Sequence, residues 1–335
     1  MSLPIKDMPS VAISNLRLGT SSWSSEDWVG VFYPPDTPAT NFLGEYGKHF
    51  DTVEVDSTYY RSPSHSMVKN WREGTPAGFI FAAKFPRVIT HEKILQDCAP
   101  EVSEFLKAMD LLGEKLGPLL LQFPYFNKKA FARAEDFMAR LEPFLTKLPA
   151  GHSYAVEIRN KAWISERFLE VLRKHRIALA LIDHPWMPPI QQMLQKFDVV
   201  TADFAYVRFL GDRKGIEEKT KHWDSILVNR EREMETWIPE IRRLLERRLR
   251  VYAYFNNHYL LCSRLDCTLP RSMGTHEEGE FLTGVCAGGF QILFSKVRWQ
   301  LVIEFTCQFT PKFQALRVER RQYIFFIHIE IVEFA

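Results

Sequence analysis

The chain lacks the features that mark several common classes of protein. None of its 335 residues lies in an apolar stretch that reaches the length of a membrane-spanning helix, about 18 residues. The segment 1–15 has no basic region followed by an apolar run, so it does not resemble a secretory signal or a transit peptide. We therefore predict a soluble, cytoplasmic protein that makes no contact with a membrane.

Cysteine is scarce, and the common catalytic motifs are missing. The five cysteines are odd in number and match no common zinc spacing, so we interpret them as reduced thiols. The sequence has no H-E-x-x-H motif, no P-loop and no G-x-S-x-G turn. We assign no metal ligands, and the cofactor stays unknown. A divalent metal stays an open alternative that the sequence does not favour.

The chain also has no large excess of charge of either sign, because the formal net charge is only +2. A charge this small does not by itself indicate a nucleic-acid-binding protein, since a basic surface depends on how the charges are distributed. The segment Asn229–Arg250 is dense in charge at helical spacing. We interpret it as a solvated helix, with a nucleic-acid contact as the alternative.

Eight short apolar runs, rich in Val, Ile, Phe and Tyr, recur along the chain with amphipathic helical patterns between them. Such runs are typical of strands that are buried on both faces of a parallel sheet. They are Leu16–Thr20, Thr52–Val55, Phe79–Lys84, Leu119–Gln122, Tyr154–Glu157, Ala178–Ile182, Tyr206–Leu210 and Val251–Phe255. Eight βα repeats predict an α/β protein with a single (β/α)₈ TIM-type barrel. An open doubly wound sheet is the alternative, but no strand precedes a G-x-G-x-x-G turn.

The composition changes after about residue 260. Four of the five cysteines lie there, and β-branched and aromatic runs replace the helix that should close the barrel. We predict an N-terminal extension at 1–15, a barrel at 16–258 and an atypical tail at 259–335. We hypothesise that this tail comes from an altered reading frame, an unspliced segment or an unrelated extension.

Polar and aromatic side chains follow the predicted strands, at the barrel face where ligands bind in this fold. We predict four catalytic candidates: Glu54, Glu157, Asp183 and His91. The predicted ligand-binding residues are Trp23, Asp56, Tyr59, Arg61, Lys84, Gln122, Arg159, Trp163, Arg208, Asn256 and Asn257. Strand alternation places Glu54 with Asp56, and Glu157 with Arg159, on one face.

Each of these residues also has a structural interpretation. The carboxylates could form an internal ion-pair network with Lys84, Arg159 and Arg208. The aromatic residues could serve in packing, and His91 and His184 could be hydrogen-bonded loop histidines rather than general bases.

Several sequence runs resemble the YecE-like family, the domain of unknown function 72, in the family's order. They are Gly19–Trp23, Phe32–Pro34, Val53–Arg61, Lys84–His91, Leu116–Pro124, Val156–Arg159 with Trp163, Tyr206–Arg208 and Tyr254–Asn257. The resemblance implies a (β/α)₈ barrel but brings no established reaction. The chain departs from the family at Ser22, where glycine is common, at Asp56, where asparagine is common, and at Asn160, where histidine is common.

Our leading hypothesis is an enzyme that acts on a small, anionic, hydroxyl-rich ligand, such as a phosphorylated sugar or a nucleotide. Arg61, Lys84, Arg159 and Arg208 would hold its negative charge. Glu54 or Glu157 would transfer a proton, and Gln122, Asn256 and Asn257 would orient hydroxyl groups. One alternative is a metal-dependent phosphodiesterase that acts on nucleic acid. The other is a non-catalytic binding barrel or a degenerate paralogue, so the sequence leaves open whether the chain is an enzyme.

Overall fold

The computed structural model describes residues 14–212, 215, 218, 220 and 231–256, together with the backbone of three short segments between 281 and 302. The chain divides into two compact units, residues 1–273 and residues 274–335. The strands of the first unit are β1 Leu16–Thr20, β2 Thr52–Val55, β3 Ile80–Lys84, β4 Leu116–Gln122, β5 Tyr154–Glu157, β6 Ala178–Asp183, β7 Phe204–Phe209 and β8 Arg250–Phe255.

In the part of the chain that the structure describes, seven α-helices alternate with these strands. They are α1 Phe42–His49, α2 His65–Glu73, α3 Ala99–Met109, α4 Ala134–Lys147, α5 Glu166–Lys174, α6 Ile190–Lys196 and α7 Glu231–Glu246. Short 3₁₀ turns lie at Glu26–Trp28, Ala39–Asn41, Ser57–Tyr59, Asp110–Lys115 and Lys161–Trp163, and a π-helical turn lies at Val88–Glu92. Among the described residues, no helix is both long enough and apolar enough to cross a membrane.

The eight strands form one parallel sheet that curves into a nearly closed barrel. Hydrogen-bonded neighbours follow the order β1-β8-β7-β6-β5-β4-β3-β2, so β1 and β2 are the two ends of the ladder. Each of the strands β1 to β7 is followed by a crossover that contains a helix, as parallel pairing requires. The predicted (β/α)₈ barrel and the approximate position of every strand are confirmed.

A tyrosine hydroxyl bridges the seam between β1 and β2. Tyr46 Oη accepts a hydrogen bond from the Thr20 backbone N–H at 2.8 Å and donates one to the Thr52 carbonyl at 3.0 Å. A Cβ atom added to Gly19 would lie 2.2 Å from the Thr52 carbonyl oxygen, so only glycine permits this close approach. The seam is therefore closed by one side chain from α1 where the ladder itself ends.

Strand burial explains the near-continuous apolar runs of the sequence. All residues of β2, β5 and β7 are buried, because one face of each strand meets the helices and the other meets the barrel interior. Val55 and Ile158 are buried among the apolar core residues, as alternation predicts for neighbours of the inward-facing carboxylates.

The second unit contains three antiparallel strands, β9 Phe281–Cys286, β10 Phe290–Ser295 and β11 Leu301–Val302, in the order β11-β10-β9. The expected absence of a closing helix falls on residues after 256, most of which lie outside the described residues, as does the predicted ligand residue Asn257. The proposed boundaries at 15 and 258, and the origin of the tail, stay predictions.

Candidate functional site

Arg208 of β7 lies at the centre of a buried ion-pair network in the barrel interior. Its Nη2 donates to Glu54 Oε1 at 2.7 Å, and its Nη1 donates to Glu157 Oε2 at 2.5 Å. The side chains of Glu54 and Glu157 are 0% exposed, and that of Arg208 is 2% exposed. Because β2 and β5 lie on different sides of β7, this one guanidinium joins three strands across the barrel. We call these three residues the Arg208 network.

The remaining oxygens of the two glutamates also have partners. Tyr206 donates its hydroxyl proton to Glu54 Oε2 at 2.6 Å, and Arg159 Nε donates to Glu157 Oε1 at 2.6 Å. A buried carboxylate is stable only when it is paired in this way, since loss of hydration is otherwise unfavourable. Both glutamates are thus engaged on both oxygens.

Lys84 extends the network toward the open end of the barrel. Its Nζ lies 2.5 Å from Asp56 Oδ1 and 3.5 Å from Glu54 Oε1. The side chain of Asp56 is only partly buried, whereas that of Lys84 is largely buried. Lys84, Arg159 and Arg208 therefore face three carboxylates, so the cluster as a whole is balanced in charge.

The electrostatic surroundings keep the two glutamates ionised. Burial alone would raise the pKa of Glu54. The charges of Arg208 and Lys84 lower it by a larger amount, so that the pKa is about 2. Burial likewise opposes ionisation of Glu157, and Arg159 and Arg208 bring its pKa below the usual range. Both side chains are therefore anionic at neutral pH, which suits a role in holding the cations.

A cavity of about 310 Å³ opens above this network at the carboxyl ends of the strands. We call it the mouth cavity. Its lining residues are Ser21, Asp56, Tyr59, Tyr60, Lys84, Gln122, Arg159, His184, Arg208, Leu210, Gly211 and Asn256. Glu54 and Glu157 lie below this lining, so Asp56 is the carboxylic acid that borders the cavity. Its volume is at the lower end of the range for small-molecule sites.

His184 borders the cavity as a neutral imidazole. Burial and the nearby Arg159 charge lower its pKa to about 4. Its Nδ1 accepts a hydrogen bond from the backbone N–H of Trp186 at 3.2 Å. We therefore assign the ring proton to Nε2, which makes that nitrogen a hydrogen-bond donor at neutral pH.

The predicted site residues are only partly brought together. Seven of the predicted ligand-binding residues line the mouth cavity: Asp56, Tyr59, Lys84, Gln122, Arg159, Arg208 and Asn256. Of the catalytic candidates, Glu54 and Glu157 lie in the network beneath it. His91 packs edge-on against Tyr59 with ring centroids 5.1 Å apart, and its Nδ1 lies 2.8 Å from Thr90 Oγ1.

The other predicted residues lie elsewhere. Trp163 stacks on Phe126 and Phe137, in an aromatic cluster under the β5 loop. Trp23 packs edge-on against Trp71 and lines a separate groove of about 490 Å³ beside α1 and α2. Arg61 is exposed and Asp183 is half-buried, and neither lines the mouth cavity. The roles predicted for all these residues stay predictions.

Some residues of the site were not assigned from the sequence. Tyr206 stands two positions before Arg208, so strand alternation could have placed it on the same inward face. Ser21 and Tyr60 lie among the polar residues after β1 and β2, but nothing in their sequence surroundings distinguishes them from their neighbours. Leu210 and Gly211 reach the cavity through the path of the loop after β7, for which the sequence has no signal.

A metal centre finds no support in the arrangement of the described side chains. Within residues 14–212 and 231–256, no group of three or more His, Cys, Asp or Glu side chains is placed to hold a metal ion. The carboxylates of Glu54 and Glu157 are instead joined through Arg208.

The model of the family described as "Protein of unknown function DUF72" matches residues 17–274. The chain belongs to this family. The match covers all eight barrel strands and extends past residue 258, where we placed the end of the barrel.

Curated relatives and solved structures agree with this assignment. The UPF0759 protein YecE of Escherichia coli K12 is 34% identical over 151 residues, which cover 45% of this chain and 51% of that protein, so the chain spans about half the length of this relative. The UPF0759 protein YunF of Bacillus subtilis is 25% identical over 72% of this chain and 89% of that protein.

Two solved DUF72 proteins share the fold. The protein from Thermotoga maritima has 31% identity and a TM-score of 0.56, and the match covers 73% of this chain and 93% of that chain. The protein from Enterococcus faecalis has 21% identity and a TM-score of 0.57, with 79% and 100% covered. The DUF72 barrel therefore extends over the greater part of this chain.

Proposed function

We propose that this DUF72 barrel is an enzyme that binds a small, anionic, hydroxyl-rich ligand in the mouth cavity. One observation carries the proposal: Arg159 lines the cavity while its Nε is held by Glu157. Among the bonds of the described residues, none engages the two terminal amino groups of Arg159. A guanidinium held by one nitrogen presents its remaining donors in a fixed fork, which is the geometry that binds phosphate or carboxylate well.

The rest of the lining suits the hydroxyl groups of such a ligand. Gln122 and Asn256 carry amide groups, and Ser21 carries a buried hydroxyl without a partner among the described residues. His184 adds an N–H donor from its Nε2. Since the charges of the cluster are balanced, we attribute anion binding to these directed donors and not to an excess of positive charge.

Asp56 is the carboxylic acid placed to exchange a proton with the ligand. Burial raises its pKa, Lys84 offsets part of the rise, and the negative charge of Glu54 adds to it. An ionised carboxyl group with a raised pKa is a stronger general base at neutral pH than an ordinary aspartate. We assign Glu54 and Glu157 to holding Arg159, Lys84 and Arg208 in place.

Binding of ribose 5-phosphate, measured by isothermal titration calorimetry on the full chain, tests the proposal. Arg159→Ala should weaken binding by at least tenfold, because a charge-assisted pair contributes about 1.5–3 kcal/mol. Arg247→Ala is the control, since Arg247 is exposed, pairs with Asp198 and does not line the cavity. Equal binding by the wild type and Arg159→Ala, or an equal loss in both variants, would contradict the placement of the site.

A further inference from the structure

Three aromatic side chains are exposed on the ligand-binding face. In the described part of the chain, Tyr60, Tyr125 and Trp186 are 71%, 64% and 69% exposed. They lie in the loops that follow β2, β4 and β6, all at the carboxyl ends of the strands. Scattered exposed apolar residues are normal, so only the rings that reach the mouth cavity bear on its ligand.

Two of these rings lie at the mouth cavity. Tyr60 is one of its lining residues and packs edge-on against Tyr59, with ring centroids 5.2 Å apart. The ring of Trp186 packs against the lining residue His184, with centroids 5.2 Å apart and an interplanar angle of 69°. The hydrogen bond from the Trp186 backbone N–H to His184 Nδ1 fixes the start of this loop relative to the cavity.

We propose that the ligand of the mouth cavity is a nucleoside monophosphate, with its phosphate at Arg159 and its base stacked on the exposed ring of Trp186 or Tyr60. This inference rests on the proposed function and names the class of ligand. A base presents a flat π face, which stacks on tryptophan or tyrosine whatever its hydrogen-bonding edge. The amides of Gln122 and Asn256 also line the cavity, where they can bind the hydroxyls of the ribose.

Charge and shape favour a nucleotide over a simple sugar phosphate. A sugar phosphate would fill the cavity and use the donors of Arg159, but it would leave the exposed rings in water. A nucleotide uses both parts, because its anionic end and its planar end are separated by a hydroxylated sugar. The cavity of about 310 Å³ then holds the sugar and phosphate, while the base lies at the open rim.

The test compares AMP, GMP, CMP and UMP with ribose 5-phosphate on the full-length protein by calorimetry. We expect at least one nucleotide to bind at least tenfold more tightly than ribose 5-phosphate. Trp186→Ala or Tyr60→Ala should weaken binding of that nucleotide by about 5- to 150-fold, the range for loss of one base–aromatic stack. Trp186→Ala should leave the binding of ribose 5-phosphate unchanged, because Trp186 is not one of the lining residues of the cavity. Trp186→Phe or Tyr60→Phe should retain most of the affinity.

Tyr125→Ala is the matched control, because Tyr125 is exposed on the same face but, among the described residues, neither lines the cavity nor has a ring contact with a residue that does. If ribose 5-phosphate binds as tightly as every nucleotide, and neither Trp186→Ala nor Tyr60→Ala weakens nucleotide binding, the inference is wrong while the proposed function stands. If neither ligand class binds and Arg159→Ala has no effect, the proposed function itself fails. The two failures are therefore distinguishable.

Discussion

Removing the central cation of the Arg208 network should destabilise the protein strongly at neutral pH. Arg208→Met leaves Glu54 and Glu157 buried with fewer positive partners. Glu157 keeps Arg159, but Glu54 keeps only the Tyr206 hydroxyl and Lys84, whose Nζ is 3.5 Å away. Glu54 is therefore the residue that determines the size of the effect.

The magnitude follows from two arguments. The pKa of Glu54 is lowered from 4.5 to about 2, and a tenfold change in proton binding corresponds to about 1.4 kcal/mol, so its ionised form gains roughly 3 kcal/mol in the folded protein. Breaking a buried ion pair by removing one partner typically costs about 3–5 kcal/mol. We expect Arg208→Met to lower the free energy of unfolding by about 3–5 kcal/mol at pH 7.

The loss should depend on pH with a definite sign. In the wild type the lowered pKa of Glu54 contributes stability above pH 4.5, and this contribution is lost as the pH falls toward 2. In Arg208→Met, less positive charge offsets the effect of burial on Glu54. The pKa of Glu54 should therefore rise above its value in the unfolded chain. The variant then gains stability relative to the wild type as the pH falls from 7 to 4, so the difference between them shrinks.

Urea unfolding at pH 7 and pH 4, followed by tryptophan fluorescence, measures this difference. Glu54→Gln combined with Arg208→Met removes both charges and should recover part of the stability. Arg208→Lys, which keeps the charge but not the two-armed geometry, should lose less than Arg208→Met. The exposed Arg247–Asp198 pair is the control, and Arg247→Met should cost no more than about 1 kcal/mol. A loss at Arg208 as small as this control, or one that does not change with pH, would refute the reasoning.

Three further predictions concern the strand ends. Ser22 has a φ of 132°, a region that glycine adopts readily, so Ser22→Gly should raise the free energy of unfolding by about 1 kcal/mol in urea titrations; a lower stability would contradict this. Tyr46→Phe should cost about 1–3 kcal/mol in the same assay, because the buried Thr20 N–H and Thr52 carbonyl lose their bridge. The imidazole of His184 should titrate near pH 4 by NMR, and a midpoint above 7 would exclude the neutral donor at neutral pH.

Much of the fold could be predicted from local patterns. Eight buried runs with amphipathic segments between them specify βα units, because a strand buried on both faces must be apolar throughout. The closure at the seam could not be predicted in this way. It depends on Tyr46 of α1 reaching both Thr20 and Thr52, which is a contact between elements distant in sequence.

The candidate site, too, could be predicted from the sequence only in part. Strand alternation by itself placed Glu54 with Asp56, and Glu157 with Arg159, on one face, since side chains two positions apart share a face. Only the tertiary structure decided that Glu54 and Glu157 lie below the cavity, paired with Arg208, while Asp56, Arg159 and His184 border it. Depth within a barrel depends on stagger between strands and on loop paths, and neither is encoded in the period of a single strand. The sequence thus determined which residues face inward, and the packing of eight strands determined which of them a ligand can reach.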